Sequence, residues 1–438
     1  MQSFPLSIAA FIFVLGVLVF VHEFGHYAVA KLFKVRVEVF SLGFGKRLIG
    51  FRRGDTDYRI SLLPLGGYVK MAGENPMEAR TGDPGEFMSH PRWQRFLVAI
   101  AGPAMNIILA LFILTGVYMV RHEVSRPAEI GWVVADTPAN AAGVKPGDRI
   151  VKISGKQNPD WEYTDEEVLL NADEWLDVSV QRGNEVIQTR VKPRPMGPDG
   201  SGYAGWEPQE PALIGTVDAG LPAIQVGIKP GDTITSLNGK PVRNVQELIR
   251  LLQEVKDTPV EIQVLREGQP LKFNVTPVLA ETERKGEKRY RIGITPGFRE
   301  EVEKLPFRAA LAASYTDCED KSLRIFQLLG KMLRRRVSIK QVGGPVIIAK
   351  YSGMAARQGF DKLLKFMALI SLNLAIFNLL PIPILDGGLV LMLLVESVMR
   401  RDIKQEVKER VYQAAFVFLV LFAAVVIFND VAKTLPGH

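Results

Sequence analysis

The sequence predicts an α-helical polytopic membrane protein with a large water-soluble α+β insertion, and three observations carry that prediction. Four apolar stretches stand out: roughly Phe4 to Phe33, Phe96 to Val120, Leu363 to Val398 and Val411 to Phe428. Each is long enough for a helix to cross a hydrocarbon core of about 30 Å at about 1.5 Å per residue. Between about residues 121 and 305 the chain has the mixed composition of soluble protein. Lysine and arginine crowd into two short segments, twelve between residues 31 and 95 and five in "MRRDIKQEVKER" at 399 to 410. Those segments should face the cytoplasm, so the insertion and both termini lie outside. The formal charge of +7 resides largely in these loops; it calls for a lipid bilayer and no nucleic acid. A lone Cys318 excludes an intrachain disulfide.

The first span, residues 1 to 33, reads as retained, because its start lacks Lys and Arg and no small-x-small cleavage site precedes its histidines. It carries "HEFGH", and burying three polar residues in hydrocarbon is costly unless they have partners. His22 and His26, four residues apart, lie on one helix face and can both reach one tetrahedral Zn2+. Adjacent Glu23 is then placed to act on water at the metal. Gly25 is a poor helix former, which points to close approach by another backbone.

Residues 34 to 95 alternate polar and apolar, with turn signals at Gly43 to Gly45 and at Gly54-Asp55, and predict short hairpin strands under the site. The second span covers 96 to 120. Beyond it two lines align: "IGWVVADTPANAAGVKPGDRIVKISGK" from Ile130 and "IGTVDAGLPAIQVGIKPGDTITSLNGK" from Ile214. Each runs strand, short helix, K-P-G-D turn and strand, then a longer helix and a further strand. The repeat, at 121 to 200 and 210 to 282, resembles tandem PDZ domains in the circularly permuted bacterial form. Grooves of that kind take an extended peptide as an added strand; the alternative is that the pair acts as a spacer. Gly131 and Gly215 are the expected groove-forming turns.

Residues 300 to 360, including the run of arginines ending at Arg336, predict an amphipathic segment at the membrane surface. The third span, 362 to 398, holds the best candidate for a third metal ligand, Asp386, in an otherwise apolar run. Pro381 and Pro383 deny the helix backbone donors there, and broken helix at membrane depth is tolerated where it lines a polar cavity. Asn373 and Asn378 precede the break and can bind the backbone of an extended guest. Glu396 is expected near the cytoplasmic end, in solvent. A fourth span covers 410 to 430.

Together, H-E-x-x-H, the outer repeat and N-x-x-P-x-P-x-L-D-G resemble the site-2 protease family of intramembrane zinc metalloproteases. "AGPAMNI" in the second span and "GGPVIIAKYSGMAARQG" before the third extend the likeness over nearly the whole chain. The resemblance implies one Zn2+ on His22, His26 and Asp386, with Glu23 as base. It implies a re-entrant hairpin clamping substrate near Phe44 and Tyr68, and substrate contacts along Asn373, Asn378, Pro381 and Pro383. The 300 to 360 segment should pack beside the catalytic helices and gate them. The implied activity is cleavage within single-span membrane proteins, such as a trimmed anti-sigma factor or a remnant signal peptide. The implied place is a bacterial inner membrane, with the PDZ pair and both termini periplasmic. Leu389 departs from the family, where His commonly follows the two glycines, but it is not an expected ligand. The competing reading is a membrane-anchored PDZ adaptor or holding protein, which would have no use for Glu23.

Overall fold

The computed structural model describes residues 4–74, 82–197, 200–281, 288–297, 302–334 and 343–434. The chain divides into two compact units, residues 1–122 with 303–438 and residues 123–302.

The first unit begins with α1 (Phe4–Leu32), an uninterrupted apolar helix. Next come β1 (Val37–Arg53) and β2 (Thr56–Met71), then α2 (Arg92–Val120). The short strands expected here are in fact one long hairpin folded back on itself. Residues 39–42 pair with 57–60 on one side and 67–70 on the other, while 47–53 pair with 56–61. Gly43 and Gly45, each at φ +88, bend β1 without ending it, and the chain reverses at Gly54. The outer edge of Gly67–Met71 is left without a partner strand among the described residues. Ala30, Val35, Val37, Phe40, Val69, Phe87 and Val98 form the core that fastens this curl to α1 and α2.

The second unit contains two modules of the same layout. The first has β3 (Ile130–Val133), α3 (Trp161–Leu170) and β4 (Trp206–Pro208), with β4 paired to β3. Its four-stranded sheet runs Lys156–Gln157, Arg149–Ile153, Leu176–Arg182, Glu185–Val191. The second has β5 (Ala212–Val217), α4 (Val245–Val255) and β6 (Ile294–Pro296), with β6 at the edge of the sheet against β5. Asp160 and Asn244 cap α3 and α4 by accepting from the N–H of Tyr163 and Glu247. The K-P-G-D turn explains itself in both modules. Buried Asp148 accepts from the Lys145 N–H and from Arg182, and Asp232 accepts likewise from Lys229 and Arg266. Each arginine also donates to a glycine carbonyl, Gly143 or Gly227.

The two glycines expected at groove turns lie within strands. Gly131 and Gly215 sit inside β3 and β5, where a Cβ would fall 2.5 Å from Pro208 O and 2.9 Å from Gly297 Cα. These glycines let paired backbones approach and form no groove turn. The turns into the edge strands carry Gly205 (φ +89) and Gly293 (φ +86) instead. In the second module a cleft of about 60 Å³ runs between α4 and residues 289–296, lined by Leu248, Leu252, Tyr290, Ile292 and Ile294.

The first unit resumes with α5 (Phe307–Leu333) and α6 (Pro345–Gln358). Arg335 and Arg336 of the expected surface segment lie outside the described residues. The expected third span is two helices, α7 (Phe360–Asn378) and α8 (Asp386–Met399), so the break occurs where the prolines predicted it. α9 (Gln405–Thr434) follows. Among the described residues, three continuous helices are long and apolar enough to cross a membrane: Pro5–Leu32, Arg92–Val120 and Gln405–Asp430. Val14, Leu18, Ala110, Leu114, Met367 and Leu372 join α1, α2 and α7 in one core. Only 11% of the most apolar window of α9 lies buried inside the protein. Polar contacts hold its ends. Asp430 accepts from the N–H groups of Gly344, Val346 and Ile347 at the start of α6, and Lys408 pairs with Glu396 at 2.6 Å. Glu396 is therefore not in solvent: it is 1% exposed, because α9 returns across it and supplies a cation.

Candidate metal centre

α1 presents His22 and His26 on its buried face, and the start of α8 brings Asp386 to them. His22 Nε2 lies 3.2 Å from one carboxylate oxygen and His26 Nε2 3.4 Å from the other. The two Nε2 atoms are 3.3 Å apart, and one ligand atom from each of the three residues fits within 4.8 Å of the others. His26 Nδ1 donates to the Val98 carbonyl at 2.7 Å. That proton position leaves a lone pair on Nε2, the tautomer a metal needs. Two imidazole nitrogens and a carboxylate converging with lone pairs inward are the donor set of a catalytic Zn2+, so these residues fit the metal.

The break between α7 and α8 is what delivers Asp386. Ile384 has φ +90, a conformation β-branched residues rarely take, two positions before the carboxylate. Gly387 and Gly388 let the incoming loop fold onto the helix start: a Cβ at either would fall 2.3 Å from the carbonyl oxygens of Leu379 or Ile382. Gly25 plays the part its poor helix propensity signalled, since a Cβ there would lie 2.4 Å from Ala101 O on α2.

The three residues border a cavity of about 490 Å³, lined also by Glu23, Phe44, Tyr68, Val69 and Asn378. Glu23 Oε2 accepts from the Val69 N–H at 3.0 Å, so the free edge of the β curl runs beside the base candidate. Phe44 and Tyr68 stack on each other at 6.0 Å. Asn378 Nδ2 is 3.4 Å from His22 Nε2. Asn373 does not line the cavity, because five residues at about 100° each turn it about 140° away from Asn378. Pro381 and Pro383 do not line it either; they shape the break. Three groups escaped the sequence reading: the Val98 carbonyl, the Val69 N–H and Asn106, whose side-chain nitrogen lies 3.3 Å from His22 Nδ1. Backbone groups leave no trace in a pattern of residue types. Asn106 left one, as a polar residue inside an apolar span.

Comparison with known proteins places the chain in a family. The model of peptidase family M50 matches residues 10–422. A putative zinc metalloprotease of Vibrio cholerae is 33% identical over 451 residues, 97% of this chain and 98% of the relative. The regulator of sigma-E protease RseP of Salmonella typhimurium is 33% identical over 463 residues, covering 99% of this chain and all (100%) of that one. RseP of Escherichia coli K12 is 32% identical over 459 residues, with the same coverage of 99% and 100%. Among solved structures, the PDZ domain of an SdrC-like protein of Listeria monocytogenes is 25% identical, covers 19% of this chain and 84% of its own, and has a TM-score of 0.17. A whole-length family match, three relatives of full length and an N2O donor set inside apolar helices lead to one conclusion: this chain belongs to peptidase family M50 and is a zinc metalloprotease.

Proposed function

We propose that this protein cuts peptide bonds within transmembrane segments of single-span proteins, with His22, His26 and Asp386 holding one Zn2+ and Glu23 as general base. The observation that carries the reading is the convergence of those side chains in a cavity bordered by a strand edge that has no partner strand among the described residues, with His22, Glu23 and His26 on a helix long and apolar enough to span a membrane. Bound zinc supplies Lewis-acid polarisation of the scissile carbonyl and of the attacking water. Glu23, steadied by the Val69 N–H, takes the proton of that water and returns it to the leaving amine. Asn378 offers an amide donor beside His22 for the carbonyl oxygen.

A transmembrane helix hides its carbonyls in its own hydrogen bonds, so substrate must unwind before it is cut. Pairing with the edge at Gly67–Met71 offsets part of that cost by giving the freed backbone new partners. The charged loops support a cytoplasmic β1–β2 hairpin, with termini and insertion in the periplasm of a bacterial inner membrane. We read the two modules of the second unit as PDZ domains that keep bulky outer domains away from the site. The Salmonella and E. coli relatives are named as regulators of sigma-E. An anti-sigma factor already trimmed outside is therefore the first substrate to try, and a remnant signal peptide the second. Purified protein should cut such a single-span substrate, stop with a zinc chelator and resume on zinc addition. Cleavage that ignores the chelator would remove the metal from the mechanism.

A further inference from the structure

The segment "AGPAMNI" of α2, residues 101 to 107, meets both histidines. At Gly102 a Cβ would fall 2.3 Å from His26 Nε2, so only glycine seats that ring against α2. Pro103 lacks the N–H that the Ala99 carbonyl would otherwise accept, which loosens the helix ladder. The neighbouring Val98 carbonyl is the one that takes the His26 proton. Asn106 follows one turn later, fully buried, with its amide nitrogen 3.3 Å from His22 Nδ1. Its side-chain oxygen has no hydrogen-bond partner among the described residues.

If His22 binds metal through Nε2, its Nδ1 carries the proton and needs an acceptor. Two donors then face each other, while a buried acceptor goes unused. A half-turn of the Asn106 amide exchanges its nitrogen and oxygen within the same envelope and places the oxygen opposite that proton. We infer that Asn106 is a positioning residue of the metal centre: its side-chain oxygen accepts the His22 Nδ1 proton and keeps Nε2 aimed at the metal. For His26 the Val98 carbonyl does the same work from the same helix, so one segment of α2 orients both imidazoles. The inference rests on His22 being a ligand, as proposed above. The Asn106 backbone carbonyl accepts from Ser371 Oγ at 2.8 Å, so replacing the side chain leaves the α2–α7 anchor in place.

The test uses full-length protein in detergent and reads metal, not turnover. Zinc affinity is measured by competition with a chromophoric chelator, and site geometry by the visible spectrum after Co2+ substitution. Asn106→Leu keeps the volume and removes the acceptor, and should weaken zinc binding about 10- to 100-fold and alter the cobalt bands. Asn106→Asp keeps an acceptor oxygen and should hold zinc far better than the leucine variant. Wild-type affinity with an unchanged cobalt spectrum in Asn106→Leu would overturn the inference. Equal loss in both variants would overturn it too, since retaining an acceptor oxygen at position 106 would then make no difference. Should the leucine variant fail to fold, a folded Asn106→Asp that has lost zinc decides against it. His22→Ala separates the two readings: if it loses zinc while Asn106→Leu does not, only the positioning role falls. If it keeps wild-type affinity, the ligand assignment itself falls.

Discussion

Glu23 differs from the proposed metal ligands beside it in what its loss should do. Glu23→Gln keeps the size and removes the base, so bound zinc should stay near one per chain while cleavage falls about 10²- to 10⁴-fold. Zinc content measured beside the cleavage rate checks both halves, and cleavage at the wild-type rate would end the assignment. Asp386→Asn should behave in the opposite way. It exchanges an anionic ligand for a neutral amide at the point where both Nε2 atoms converge, so metal retention should drop first and activity with it. Unchanged affinity in that variant would mean another residue completes the site.

At the scale of elements, glycines decide how closely helices and strands approach the chemistry. Gly25→Ala should force α1 and α2 apart, because the new methyl group would sit 2.4 Å from a backbone oxygen that cannot swing aside. Overpacking of this kind costs about 1–3 kcal/mol. Two of the three proposed metal ligands, His22 and His26, ride on α1, so thermal unfolding and zinc retention should fall together. A variant with both unchanged would show that the helices part without strain. In the second module, burial alone would raise the Asp232 carboxyl, but Arg266 and the Lys229 N–H outweigh it and hold it below the usual carboxylate range. An acid with a depressed folded pKa stabilises fully above its unfolded value, about 3.9, and loses that contribution as pH falls through the lower folded value. Arg266→Leu should therefore destabilise the module near neutrality, by leaving the Asp232 carboxylate without its cation. The deficit should shrink as pH falls below the unfolded value and vanish only below the lower folded value, where the wild type protonates Asp232 as well. Urea unfolding at pH 7 and pH 3 reads this directly; an equal deficit at both would point to packing instead of charge.

For the whole molecule, the decisive question is what the insertion does. Residues 123–302 form a unit of their own, entered from the end of α2 and left just before α5. If that unit excludes bulky substrates, replacing it with a short linker should allow cleavage of a substrate that still carries its outer domain. Filling the cleft beside β6, for instance with Ile249→Arg, should leave cleavage of the trimmed substrate largely intact. A deletion variant that still rejects the untrimmed form, while cutting the trimmed one normally, would show that these modules do not filter by size. Gly131 and Gly215 are the wrong positions for that experiment, because substitution there would disturb strand pairing and leave the cleft alone.

The sequence by itself determined whatever depends on local periodicity or on the cost of buried charge. H-E-x-x-H four residues apart in an apolar run placed two imidazoles on one face, and a lone aspartate after two prolines marked both the break and the third converging group. The K-P-G-D repeat was legible because tight turns restrict residue type. Only the tertiary structure decided what depends on contacts between distant segments. Asn373 and Asn378 read alike in sequence, yet one turns away from the cavity and the other lies beside His22. Glu396 looked like a solvated end until α9 laid Lys408 against it. The curl of the β1–β2 hairpin set a free edge beside Glu23, and the pairing of β5 with β6 moved the cleft away from the expected glycines. In each case a side chain's surroundings are supplied by residues far along the chain, and no local pattern of residue types carries that information.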